Sequence, residues 1–206
     1  DAAMDGALYN TGVGYAALGA LTQGDNNVVI GALAADALLT GEGNTVIGKG
    51  ALGTSTVGTR MVAAGWGAIG GAAVTADAIG GIGIGFEALN ALTSGARNLA
   101  VGYQAGSVLT SSNDMICIGY QAGLDASSTG STPSECVYVG NYSGENMDDG
   151  TKNTAVGHMA LRGNTSNGNL GDNNVAIGND AGLGIQDGDN NVFIGLDYVD
   201  KESKDI

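Results

Sequence analysis

Short apolar triplets alternate along the chain with longer stretches rich in Gly, Asp, Asn, Ser and Thr, and the alternation keeps a fixed step. Eleven triplets each run into a glycine: Gly14, Gly31, Gly48, Gly65, Gly85, Gly102, Gly119, Gly140, Gly157, Gly178 and Gly195. Seven of the ten intervals are 17 residues and the other three are 20 or 21. A short period held over a whole chain predicts a solenoid, in which each turn stacks on the next to complete its own burial. The residue before the glycine is β-branched in ten of eleven units, Val13, Ile30 and Ile47 among them, so each triplet predicts a strand rather than a helical turn. The fold class expected is all-β: a parallel β-roll, or β-solenoid, of about eleven 17-residue rungs.

Side chains alternate along a strand, so the first and third columns of the triplets share one face. Both are apolar, and that face is assigned to the core of the coil. The middle column reads Gly12, Val29, Val46, Ala63, Gly83, Ala100, Cys117, Tyr138, Ala155, Ala176 and Phe193, and carries no charge. A solvated face should be polar. One thin coil cannot bury both faces of its strand, so the middle column is assigned to an interface between copies, lined by Val29, Val46, Ala63, Ala100, Cys117, Tyr138, Ala155, Ala176 and Phe193.

The corners have their own signature. Four places before the glycine stands Asn in seven units: Asn10, Asn27, Asn44, Asn98, Asn153, Asn174 and Asn191. Asn tolerates left-handed backbone and bonds to nearby amides, which suits a corner entering a strand and a stacked amide ladder. Gly31, Gly48, Gly102, Gly119, Gly157, Gly178 and Gly195 typify the opposite corner, where a Cβ is unwelcome. Three places after the glycine nine units have Ala and a tenth has Ser143, which predicts a second short strand with a small residue inward. The expected organisation is a lead-in over 1–9, one repeat domain over 10–198, and a charged tail or linker over 199–206.

Charge narrows the function classes. Seven basic residues against 21 acidic ones give −14, leaving nothing to neutralise phosphates, so neither nucleic acid nor an anionic membrane surface is an expected partner. The weakly charged stretch Met61 to Phe86 is interrupted by glycines in repeat phase and reads as dry rungs, not as an inserted helix. The chain opens at Asp1 with no signal-peptide pattern, as expected of a processed chain or a piece of a longer one.

Candidate chemistry is sparse. His158, the single histidine, takes the slot after the glycine that elsewhere holds Tyr15, Trp66, Phe86, Tyr103 and Tyr120, which predicts an aromatic ladder rather than a catalytic base. Gly81-Ile82-Gly83-Ile84-Gly85 lacks dinucleotide-loop spacing, and no cofactor is expected. Cys117 and Cys136 lie in neighbouring units at different columns and read as two free buried thiols. Asp187, Asp189 and Asn191 offer clustered oxygens and are the weak candidates for calcium, with solvated turns as the plain alternative. The sequons at Asn141 and Asn164 read as chance matches. No nucleophile motif or zinc spacing occurs, and an enzyme is not expected.

Asn44-Thr45-Val46-Ile47-Gly48, Asn153-Thr154-Ala155-Val156-Gly157 and Asn174-Val175-Ala176-Ile177-Gly178 resemble the head repeat of trimeric autotransporter adhesins, the YadA-like family. The Gly-Tyr-Gln-Ala-Gly form at Gly102–Gly106 and Gly119–Gly123 is similar to repeats of phage tail fibres. The resemblance covers about residues 10 to 198. It implies a left-handed roll, three chains side by side, and attachment to surfaces. The unit here is longer than the usual adhesin repeat, and neither a coiled-coil stalk nor a membrane barrel accompanies it. The expected function is a structural homotrimeric fibre segment of a phage or similar particle that supports or performs host attachment. It would sit on the virion surface or extracellularly and meet a host-surface glycan or protein. The alternative is the head of a bacterial trimeric adhesin on the outer surface. The three longer units are expected to bulge near Ala73 to Ala78, Ser127 to Ser134 and Asn164 to Asn169, and to carry recognition.

Overall fold

The computed structural model of the chain describes residues 6–76, 78–124, 133–147, 149–163, 171–185 and 188–196. Eleven three-residue strands form one parallel sheet in strict chain order. They are β1 (Thr11–Val13), β2 (Val28–Ile30), β3 (Thr45–Ile47), β4 (Val62–Ala64), β5 (Ile82–Ile84), β6 (Leu99–Val101), β7 (Ile116–Ile118), β8 (Val137–Val139), β9 (Thr154–Val156), β10 (Val175–Ile177) and β11 (Val192–Ile194). Equivalent residues pair throughout: Val29 with Val46, Ala100 with Cys117, Ala176 with Phe193. The chain is an all-β solenoid of about ten turns, and the described residues contain no helix.

The rest of each turn is not a second strand, contrary to the sequence expectation. The second and fourth residues after the corner glycine adopt left-handed backbone, as at Gln104 (φ 52°), Leu52 (φ 49°) and Leu89 (φ 51°), and so does the fifth residue before it, as at Arg97 (φ 59°). Such a conformation is costly for a residue with a Cβ. It recurs because it turns each amide along the solenoid axis. Gln104 N–H donates to the Phe86 carbonyl (2.8 Å), Leu89 N–H to Ala105 (3.1 Å) and Arg97 N–H to Ile79 (3.0 Å). These left-handed residues of the turns therefore bond between rungs, as those of a strand do, while residues between them close short turns within a rung, as Ser107 N–H does on Gln104 (3.3 Å).

The two strand faces are the reverse of the sequence assignment. The middle column points into the coil: Val29, Val46, Ala63, Ala100, Cys117, Tyr138, Ala155 and Ala176 are fully buried within one chain, and Phe193 is partly buried on the last described rung. They line the interior and leave nothing to offer another copy. The first and third columns, assigned to the core, point outward. Both columns are apolar, so alternation fixes which residues share a face but not which face is inside.

Size complementarity was the missing signal, because the interior is narrow and each rung fills it once. Where the middle column is Tyr138, a Cβ on Gly144 would lie 2.5 Å from the ring. Where it is Gly83, Ile69 fills the space, its Cγ1 2.9 Å from where a Cβ would stand. Gly182 similarly makes room for Phe193. The inward Ala column continues through Ala34, Ala51, Ala68, Ala88, Ala105 and Ala122, all fully buried.

A buried amide ladder closes the corner. Asn44 donates its backbone N–H (3.0 Å) and Nδ2 (2.8 Å) to Asn27 Oδ1, and Nδ2 also reaches the Gly58 carbonyl (2.8 Å). Its own Oδ1 accepts from Met61 N–H at 2.9 Å. Asn174 and Asn191 repeat the contact. At two of the four rungs that lack Asn, sulfur substitutes: Gly81 N–H points at Met61 Sδ (3.2 Å) and Asn153 N–H at Cys136 Sγ (3.3 Å), while Gly81 itself offers no side-chain acceptor. The predicted bulge over Ala73 to Ala78 does not simply leave the coil, since Val74 and Ala78 are buried in the core and Thr75 N–H bonds to Thr93. The other two predicted bulges lie outside the described residues, apart from Pro133 and Ser134.

Asn44→Ala should destabilise the chain by about 3 kcal/mol, because it strands the buried Met61 N–H and the Gly58 carbonyl, while Asn27 Oδ1 keeps the backbone N–H of residue 44. Asn10→Ala, on the half-buried first rung, should cost about 1 kcal/mol, and denaturant unfolding of the two variants measures the difference. The corner glycines allow a sharper contrast. A Cβ on Gly119 (φ 136°) would stand 2.5 Å from the Gly140 carbonyl oxygen, whereas one on Gly195 (φ 122°) meets nothing within 4 Å. Gly119→Ala should lower the melting temperature severely, while Gly195→Ala should show only backbone strain of about 1 kcal/mol.

Candidate functional surfaces

Three columns face outward, and the first is an apolar ribbon built from the ends of the strands. Its residues are Thr, Val, Ile, Leu and one Ala, with no charge in either column over eleven rungs. On the inner rungs Ile30, Ile47 and Ile177 are 41%, 46% and 44% exposed. Parallel pairing holds the ribbon in register, and β-branched residues in successive rungs pack on one another. Scattered exposed apolar residues are ordinary, but a continuous strip is not.

The second is the aromatic ladder expected from the slot after the glycine. Trp66, Phe86, Tyr103, Tyr120, Tyr142 and His158 follow one another with centroid separations of 5.4, 4.9, 5.3, 5.2 and 6.2 Å. Phe86, Tyr103 and Tyr120 stack nearly parallel. Tyr142 was not anticipated, because it stands two places after its glycine, with Asn141 in the regular slot. Lys49 Nζ lies 5.4 Å from the Trp66 ring and the Arg162 guanidinium 5.6 Å from Tyr142. His158 Nδ1 also meets Asn179 Oδ1 at 3.1 Å, so this imidazole is a ladder member with an amide neighbour. Alongside runs a polar chain, Gln121 Nε2 to Gln104 Oε1 and Gln104 Nε2 to Glu87 Oε2, both 2.9 Å.

The third carries acidic residues at some of its corners, and each of three aspartates has one oxygen engaged. Asp189 Oδ1 accepts from Asp172 N–H (2.8 Å), Asp172 Oδ1 from Thr151 N–H (2.7 Å) and Asp25 Oδ1 from Leu8 N–H (2.7 Å). Of the calcium candidates, Asp189 therefore bridges two rungs, Asn191 belongs to the amide ladder and Asp187 lies outside the described residues. Among the described residues no group of three or more His, Cys, Asp or Glu converges as metal ligands. The Arg97–Asp114 pair is bidentate at 2.6 Å on the surface, and its hydrogen bonds hold the Asp114 carboxyl below its ordinary range. No helix of the described residues is long and apolar enough to cross a membrane.

Cys117 and Cys136 are free and buried, as expected. Burial, with Cys136 close by, pushes the Cys117 thiol up to about 12. Burial likewise pushes the Tyr138 hydroxyl well above its ordinary value. A shallow pocket at the last described rung is lined by Ala181, Phe193, Ile194, Gly195 and Leu196. No protein-family model matches the chain, and no curated protein or solved structure matches it.

The Cys117 thiol sets a pH dependence. Both states hold the proton below pH 9, the unfolded chain loses it from there, and the folded chain keeps it to about 12. Stability should therefore fall as pH rises from 9 to 12, by up to about 1.4 kcal/mol per pH unit from this group. Cys117→Ala should flatten that slope, and a thiol-specific disulfide reagent at pH 8 should label wild type only after denaturant is added.

Proposed function

We propose that this chain is a structural shaft segment that works as a homotrimer, its three apolar ribbons packed around a common axis parallel to the solenoid. The ribbon is the observation that carries the reading: it is long, uncharged, in register, and on the outside of a chain whose net charge is −14. The strand ends, exposed or half-buried and mostly Val and Ile, gain most by meeting the same surface on another copy. The trimeric order, the left-handed coil and the placement in a surface fibre rest on the resemblance of the Asn-x-x-x-Gly units to trimeric fibre and adhesin repeats.

In this reading the protein is not an enzyme. It is a rigid spacer in a fibre of a phage or similar particle, on the virion surface or otherwise extracellular, that supports or performs attachment to a host glycan or protein. The head of a bacterial trimeric adhesin is the second reading, favoured by the form of Asn44–Gly48, and it uses the same ribbon.

Two neighbouring residues test the assembly. Ala176 points into the coil and Ile177 out of it. Ile47→Asp combined with Ile177→Asp should leave the β-sheet circular dichroism unchanged and convert a trimer into monomers by sedimentation equilibrium. Ala176→Asp should abolish the fold altogether, because it buries a charge without a partner. A wild-type chain that sediments as a monomer at micromolar concentration would falsify the reading.

A further inference from the structure

We propose that the aromatic ladder is the seam of the oligomer, the strip where the flank of each copy is covered by the next; this rests on the homotrimer reading above. The ladder leaves few ring faces open. Its inner faces stack on one another, and Lys49 and Arg162 lie over its Trp66 and Tyr142 members. Saccharide recognition by aromatic residues needs a free face, so a platform for a sugar ring is poorly served here. What remains open is a ridge of ring edges, with Trp66 59%, Tyr103 45% and Tyr120 40% exposed.

Position and area point to the same occupant. Each regular ladder residue follows the last outward strand residue by two positions, as Tyr103 follows Val101 and Tyr120 follows Ile118. That places it no more than about 7 Å further along the chain, so ladder and ribbon form one continuous apolar surface. The ribbon spans ten rung steps of ~4.8 Å and is about 10 Å wide, roughly 500 Å² in projection. A stable interface buries about 800 Å² per partner. Six rungs of ladder add roughly 200 Å², which brings the combined strip near that size. On its far side the ladder is bordered by the Glu87–Gln104–Gln121 chain, a polar rim of the sort that surrounds an apolar interface core. The occupant is therefore a second copy of this chain.

Trp66 is the only tryptophan and reports on the seam directly. Acrylamide quenching of its fluorescence should be at least about threefold weaker in the assembled wild type than in the Ile47→Asp/Ile177→Asp variant, whose changes lie on rungs outside the ladder. Tyr103→Ser with Tyr120→Ser should raise the dissociation constant at least tenfold with the sheet signal intact. If the aspartate variant fails to fold, wild type diluted below its dissociation constant supplies the monomer. An intact trimer with Trp66 as quenchable as free N-acetyltryptophanamide would overturn the seam and leave the trimer standing. A monomeric wild type would overturn both. An undiminished association of the tyrosine variant would also count against the seam.

Discussion

Every feature of this chain depends on stacking near-identical rungs at the spacing of a parallel sheet. Only three residues per turn are strand. The remaining backbone reaches the same axial bonding through repeated left-handed residues, whose N–H groups point to the rung above or below. Strain that would be prohibitive at one isolated residue is offset at each by a bond between rungs. The corner glycines have the same origin. Their carbonyls approach so closely along the axis that a Cβ has no room, and Gly195, with no described rung above it, is the exception that identifies the cause.

Periodicity made the strands legible. All eleven fall on the triplets before the glycines, and the Asn column is buried and laddered as its spacing suggests. The turns were less legible, because left-handed conformations at Gln104, Leu89 or Arg97 carry no residue signature. These side chains accept the strain for bonds that exist only once rungs have stacked. The assignment of faces failed for a different reason. Two apolar faces look alike in a one-dimensional pattern, and only the pairing of Tyr138 with Gly144, or Gly83 with Ile69, shows which column is confined. Tyr142 was hidden by a shift of one position, which three-dimensional stacking ignores and column counting does not.

The outward surface divides the work by chemistry. Acidic and amide side chains tie rung to rung at the corners, while the strand ends present methyl groups to whatever lies outside. Among the described residues the rungs bond most of their backbone and corner groups to one another and fill their own interior, although the buried Tyr138 hydroxyl has no hydrogen-bond partner. They do not cover the ribbon, and this is the physical reason to read the coil as one part of a larger assembly.

The amide ladder is not uniform. Between β4 and β5, and again between β8 and β9, a thioether or a thiol accepts the N–H that an asparagine oxygen accepts at the Asn rungs, and Gly81 has no side chain to accept one at all. Sulfur is a weak acceptor and brings no second amide to share. A coil pulled along its length would carry the same tension through every joint. The joint above Gly81, which has no side chain to accept, and the two sulfur joints would open before those closed by an asparagine oxygen, dividing the coil into segments that otherwise stretch as one.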